Sequence, residues 1–229
     1  QIWTAGYPAR VVIDIRRDAM VERDVAWAPG LRWRQQYVNV GRGRFPVYMF
    51  IVRPNPSTLA LRPIHANPST ATGIEPILTT AQRQRVTGAV NAGFFNRNNQ
   101  LPLGAVRNAG QWISGPNLGR GAMAWNATGD PQPEGFSTNI ILGSAPRTAV
   151  GKTADGTWII ATMHDRVGGR GPTLRETAQI MQQLGAVDAL NLDGGSSSSL
   201  YLGGQLLNRQ PRTAARVNNG IGLFVLSQE

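Results

Sequence analysis

One stretch constrains this chain more than any other: Ala189-Leu190-Asn191-Leu192-Asp193-Gly194-Gly195-Ser196-Ser197-Ser198-Ser199-Leu200-Tyr201-Leu202. An apolar run ends on a lone carboxylate, crosses two glycines and four serines, and turns apolar again. Both apolar runs read as short buried strands. Between them the backbone is nearly bare, so its N–H groups can approach a ligand closely. Successive N–H groups in such a turn form a concave anion-binding nest. A flexible Gly/Ser linker would have polar or Pro-rich flanks, which these are not. A structural tight turn is the competing reading; a binding or catalytic loop built around Asp193 is the preferred one.

With 229 residues, 41% of them hydrophobic and 16% charged, the chain is long and apolar enough to bury a substantial core. Its 27 glycines and 15 prolines imply many turns and few long helices. These bounds point to a β-rich domain, and with the strand and helix signals along the chain the expected architecture is a single α+β domain: a large, mostly antiparallel or mixed sheet with a few packed helices. No apolar segment is long enough to span a membrane. There are no cysteines, hence no disulfide framework and no thiolate metal site. The chain opens at Gln1 without an apolar leader, as expected of an exported protein whose leader has been removed or of a trimmed sequence.

The net charge of +10 is carried almost entirely by arginine, Lys152 being the sole lysine. Guanidinium groups favour bidentate recognition of phosphate and carboxylate. The arginines are scattered singly or in pairs such as Arg16-Arg17, not gathered on one helix, which disfavours nucleic acid as a partner.

Along the chain, strands are predicted at Arg10–Ile15, Tyr37–Val40 and Val47–Val52, with Gly41–Arg44 as a hairpin loop. Pro54 to Pro76, rich in Pro, Asn, Ser and Thr, reads as a long connection or lid containing a solvated His65. A short helix is expected over Ala81–Val86, capped by Thr79 or Thr80. Strands or hairpins follow at Gly104–Ile113, Ala122–Trp125, Ile140–Leu142 and across the Asp155-Gly156 turn. Thr173-Leu174-Arg175-Glu176 is a capping box opening a helix that Gly185 closes. A last strand covers Ile221–Leu226.

Taken in order, several pieces resemble the phosphodiester glycosidase family. They are Asn91-Ala92-Gly93-Phe94-Phe95, Arg147–Gly151 with Thr157–Ile160, Thr173–Ala178, Leu184-Gly185, Ala189–Ser197 and Arg216–Gly222. The resemblance runs from Val86 to the C-terminus, and residues 1–80 form a divergent portion of the same domain preceding an 81–229 core. The chain departs from the family pattern at Ser196, where a third glycine is common, and at His164-Asp165-Arg166, where Asp-Gly-Arg is common.

The resemblance implies cleavage between an anomeric carbon and a phosphate oxygen. Ordinary glycosidases use two carboxyls, one of which protonates the leaving alkoxide. Phosphate already leaves as a stable anion, so one carboxylate with cationic and N–H donors suffices. On that basis Asp193 is the expected general base or nucleophile and Arg147 the phosphate clamp, with Thr148, Gly93 and the Gly194, Gly195, Ser196 and Ser197 groups assisting. Asn91 and Asn219 are expected to hold sugar hydroxyls or an N-acetyl group. Arg147 pairing with Asp193, a turn-capping role for Asn91, and a plain turn role for Asn219 stand as the structural alternatives. Asp165 is either a second catalytic carboxylate or a surface charge, and His164 either a general acid or structural. Glu176 is accounted for by the capping box. No cofactor is required, although Asp165 and Asp193 offer oxygen ligands compatible with a divalent cation such as calcium. The implied partner is a phosphorylated or acidic glycan in a bacterial periplasmic or extracellular setting. The rival function is a non-catalytic module that binds acidic polysaccharide or envelope polymer through its arginines.

Overall fold

The computed structural model describes residues 2–5, 10–13, 20–53, 55, 57–67, 69–108, 111–115, 122–125, 131–134, 143–166 and 168–226. The expected run at Ile140–Leu142, residues 14–15 of the first strand candidate and the Ala109-Gly110 turn lie outside them.

Among the described residues, eleven strands build two antiparallel sheets. The first sheet has the order β8-β6-β7-β3-β2-β1. Its members are β1 (Arg23–Ala28), β2 (Leu31–Val40), β3 (Gly43–Val52), β6 (Arg147–Thr153), β7 (Trp158–Met163) and β8 (Ala186–Asn191). The second sheet has the order β10-β9-β5-β11-β4. It contains β4 (Leu59–His65), β5 (Gly88–Asn91), β9 (Leu200–Leu202), β10 (Gln205–Leu206) and β11 (Asn219–Val225). Smaller strand pairs join 2–5 with 10–13, 106–108 with 111–114, 122–125 with 131–134, and 75–76 with 216–217.

Strand periodicity sorts the side chains into layers. Leu31, Trp33, Phe50, Val52, Val150, Trp158 and Ile160 point from the first sheet into a core shared with Leu59, Leu61, Val90, Leu200, Ile221 and Leu223 of the second. The alternate residues, among them Val38, Val47, Met49, Ile159 and Met163, meet Ile180 and Met181 of helix α2 (Leu174–Gln183). On the far side, Ile64, Ala89 and Tyr201 pack on Ile77 and Ala81 of helix α1 (Ile77–Arg83). The order of layers is α2, sheet, sheet, α1, in keeping with the α+β expectation. It explains why Val47–Val52 is continuously apolar: that strand is covered on both faces.

Two expectations change here. The Pro54–Pro76 connection contains β4, which pairs with β11 from His65↔Asn219 to Leu59↔Val225. Pro63 is tolerated because β4 is the edge of its sheet, where a missing N–H breaks no ladder. His65 is consequently buried, 5% exposed, and not solvated; that burial holds its pKa below the ordinary histidine value. Helix α1 starts earlier than expected, after Pro76, with Thr79 and Thr80 inside it and the Thr80 hydroxyl donating to Glu75. The α2 capping box forms as read, Thr173 accepting from the Glu176 N–H while Glu176 accepts from Thr173.

Candidate active site

The Asp193 loop is where the chain crosses from one sheet to the other. At the end of β8 the Leu192 N–H still donates to Thr148 of the first sheet, at 2.8 Å. One residue on, the Asp193 N–H donates to the Ala92 carbonyl beyond β5 of the second, at 2.9 Å. Gly195 N–H returns to the Pro146 carbonyl at 2.7 Å, a 3-10 turn follows over Gly195–Ser197, and β9 begins at Leu200.

Asn91 is the hinge pin of this crossover. Fully buried, it donates from Nδ2 to the Asp193 carbonyl at 2.7 Å. Its Oδ1 accepts from the Thr148 hydroxyl at 2.8 Å and from the Ser199 N–H at 3.1 Å. One amide thus binds both sheets and both ends of the loop. Gly194 must be bare: a Cβ there would stand 2.7 Å from the Pro146 carbonyl oxygen and 3.6 Å from Arg147 Cδ. Gly195 takes a φ of 66°, which favours glycine.

Asp193 itself is half-buried. Its Oδ1 accepts from the Gly194 N–H at 2.9 Å. Burial pushes its pKa above the ordinary carboxylate value, against the opposing pull of the Ser197 hydroxyl, the Gly194 N–H and the positive charge of Arg97. Desolvation outweighing hydrogen bonding leaves a carboxyl readier to take up a proton than one in water.

The other expected site residues are mostly engaged elsewhere. Arg147 is buried, and its pKa is lowered by that burial. Its Nε donates to Pro172 and its Nη2 to Gly143, both backbone carbonyls, so no ion pair with Asp193 forms. Gly93 N–H donates to Asn219 Oδ1 at 2.7 Å, and Asn219 Nδ2 donates to Asn218 Oδ1 at 3.0 Å. Asn218 in turn reaches the carbonyls of Ala71, Gly73 and Gln100, gathering two loops onto the start of β11. Asp165 is exposed and accepts from the Gly171 N–H at 2.6 Å.

The expected N–H nest is largely spent inside the protein. Gly194 N–H serves Asp193, Gly195 N–H serves Pro146, Ser197 N–H serves Gly194 and Ser198 N–H serves Gly195. The Ser196 N–H carries none of these bonds, and Ser196 is exposed.

Sequence reasoning passed over Asn208 and Arg209, which grip the loop from behind. Arg209 donates to the carbonyls of Gly195, Ser196 and Thr213 at 2.6–3.0 Å. Holding the Gly195 carbonyl on that side turns the Ser196 N–H of the same peptide to the opposite one. The charge of Asp165 partly offsets the cost of burying Arg209. Asn208 donates to Ser198 and to His164 Nε2, and accepts from the Leu200 N–H. As the acceptor in that bond, Nε2 is unprotonated and Nδ1 carries the proton. Burial, with the nearby Arg209 charge, lowers the His164 pKa to about 3, so the ring is neutral and unsuited to donate a proton as imidazolium at neutral pH. Neither residue carries a local signal; each acts on a loop some ten residues upstream. Among the described residues, no group of three or more His, Asp or Glu side chains is placed to hold a metal ion.

The crystal structure of a hypothetical protein from Synechocystis shares 33% identity with this chain at a TM-score of 0.83. The superposition covers 98% of this chain and 68% of that one. Residues 119–224 match the phosphodiester glycosidase family. The matched stretch takes in Arg147, Asp165, the Asp193 loop, Arg209 and Asn219, and leaves Asn91 and Gly93 to its N-terminal side. Mouse N-acetylglucosamine-1-phosphodiester alpha-N-acetylglucosaminidase is 34% identical over 77 residues, which is 34% of this chain and 15% of the mouse protein. The catalytic domain of the zebrafish enzyme of that name, auto-inhibited by its pro-peptide, shares the fold at a TM-score of 0.73 and 15% identity, covering 90% of this chain and 88% of that one. No helix among the described residues is long and apolar enough to cross a membrane.

Proposed function

We propose that this chain hydrolyses sugar-1-phosphodiesters at the Asp193 loop. The observation that carries the reading is the half-buried Asp193 carboxyl, with its raised pKa, on a Gly/Ser crossover inside the stretch that matches phosphodiester glycosidases. In this reading Asp193 acts at the anomeric carbon, either by taking a proton from the attacking water or by attacking directly. The electron pair of the anomeric C–O bond departs on the phosphate oxygen, which needs no proton to leave. The Ser196 N–H and Arg97 supply a donor and positive charge to that phosphate.

Arg147 adds charge from beneath the loop, its Cδ side lying against Gly194, while its Nε and Nη2 hold backbone. Asn91, with Thr148, holds the Asp193 backbone in place, Gly93 and Asn219 tie down the neighbouring turn, and Asp165 acts through Arg209. An envelope glycan as substrate and an exported bacterial setting belong to the same proposal: the arginine excess supports an anionic glycan, and the Synechocystis relative a bacterial setting.

The test is turnover of a panel of sugar-1-phosphodiesters, one of them α-N-acetylglucosaminyl, by wild type and Asp193→Asn. A loss of about 10³-fold or more in kcat with binding retained is expected, the scale seen when an essential carboxylate is removed. Equal turnover would remove Asp193 from the chemistry. Binding without turnover in wild type would favour the glycan-binding module.

A further inference from the structure

The chain has ten more basic than acidic groups, and the described acids are mostly engaged away from one particular rim. Asp24 pairs with Arg32 and Arg34, Glu75 with Arg83, Asp155 with Arg53, and Glu176 closes the α2 capping box. Arg42, Arg166 and Arg170 are all exposed, and no ion pair among the described residues engages any of them. Arg42 sits at the tip of the β2–β3 hairpin. Arg166 and Arg170 lie on the loop that leaves β7, whose one carboxylate is Asp165.

All three residues lie on the hairpin and the loop at one end of the first sheet, the end that also carries the candidate site. Arg166 Nη1 donates to the Arg42 carbonyl at 3.3 Å, and its guanidinium lies 5.9 Å from the centre of the Phe45 ring. Arg166 is thereby seated against the hairpin tip that carries Arg42. The same loop ends at Gly171, packed so tightly on Ala145 that a Cβ would stand 2.3 Å from its carbonyl carbon. Pro146, the next residue, accepts from Gly195 N–H and abuts Gly194. The rim therefore runs unbroken from the hairpin tip to the Asp193 loop, along the end of the first sheet at which β8 delivers that loop.

We infer that this rim is a subsite for a polyanionic chain: the Arg42–Arg166–Arg170 ridge binds successive phosphodiesters of a polymeric substrate whose terminal sugar phosphate reaches Asp193. The placement beside Asp193 favours a glycan or polyol phosphate over nucleic acid, because the reacting group and the ridge then belong to one ligand. The inference rests on the glycosidase reading for its biological sense, but the ridge is tested by binding, without turnover, so each can fail alone.

The probe is poly(glycerol phosphate), titrated calorimetrically into the full chain at several salt concentrations. Three phosphate contacts give a log–log salt slope of about 2, which is about 16-fold weaker binding over a fourfold rise in salt. Arg42→Ser/Arg166→Ser/Arg170→Ser is expected to lose that slope and at least tenfold in affinity at low salt. Because Arg166 also packs on Phe45, Arg42→Ser/Arg170→Ser serves as a second variant, expected to lose about 1.4 of the slope. Hydrolysis of a small sugar-1-phosphodiester by the double variant should be unchanged. Unaltered affinity and slope in both variants would overturn the inference. So would equal binding of an oligothymidylate with the same number of phosphates, which would make the ridge a nucleic-acid surface. A fall in small-substrate turnover in the double variant would also overturn it, placing the ridge in the reacting centre.

Discussion

Asn91→Ala tests the crossover most directly. The side chain is fully buried, and its removal strands the Asp193 carbonyl and the Ser199 N–H, along with the Thr148 hydroxyl. Each buried backbone group left without a partner costs about 1–3 kcal/mol. Allowing the Thr148 hydroxyl to rotate elsewhere, the loss should be about 3–5 kcal/mol. For a chain of this size each kcal/mol moves Tm by about 2–4 °C, so a fall of about 10 °C is expected in a thermal melt. Asn91→Asp sharpens the test. Ionised, it presents a buried carboxylate to the Asp193 carbonyl; protonated, it can donate there and still accept from Thr148 and Ser199. Its pKa in the folded state must then exceed the unfolded value, so stability is gained as pH falls through the folded pKa. Urea midpoints measured from pH 7 down to pH 4 should show Asn91→Asp recovering relative to Asn91→Ala. A cost below about 1 kcal/mol for Asn91→Ala, or parallel pH curves for the two variants, would refute the idea that these bonds hold the crossover.

Three shorter predictions follow from the same loop. Gly194→Ala forces a Cβ to within 2.7 Å of the Pro146 carbonyl oxygen, so it should reduce kcat more than Gly195→Ala, where no atom lies within 4 Å and the cost is a left-handed φ of about 1–2 kcal/mol in stability; steady-state kinetics and melts of the pair compare them. Asp193 has a folded pKa above its unfolded value, so its ionisation opposes folding at neutral pH. Asp193→Asn should therefore be at least as stable as wild type at pH 7 and lose that advantage below the ordinary carboxylate pKa, as melts across pH would reveal. His164, with its pKa lowered to about 3, contributes stability that is present above the ordinary histidine value and is lost as pH falls from there toward about 3; imidazole NMR should show Nε2 unprotonated at pH 5.

Much of the fold was legible in short-range pattern. The β6–β7 hairpin could be read from the Asp155-Gly156 turn, and α2 from its capping box, because both signals lie within a few residues and act through local hydrogen bonds. The apolar runs around Asp193 were also read correctly as strands. Strand β4 was not, because Pro63 and the Pro-rich segment around it read as loop; whether Pro63 breaks a ladder depends on its strand being an edge, a fact of the assembled sheet. His65 followed the same error, its burial coming from the pairing with Asn219 on a strand far along the chain.

The candidate site divides in the same way. Sequence alone determined that a lone carboxylate would follow an apolar strand and enter a bare Gly/Ser turn, since residue type and polarity fix that much; that this strand is only partly buried follows from its place at the edge of the first sheet. Tertiary structure decided which groups remain available there. It directed the donors of Arg147 to carbonyls, used most of the loop N–H groups internally, and brought Asn91, Asn208 and Arg209 onto the loop from other strands and turns. Hydrogen bonds between residues far apart in the chain leave no period or motif to read; only the packing of one sheet on the other brings their donors and acceptors within reach.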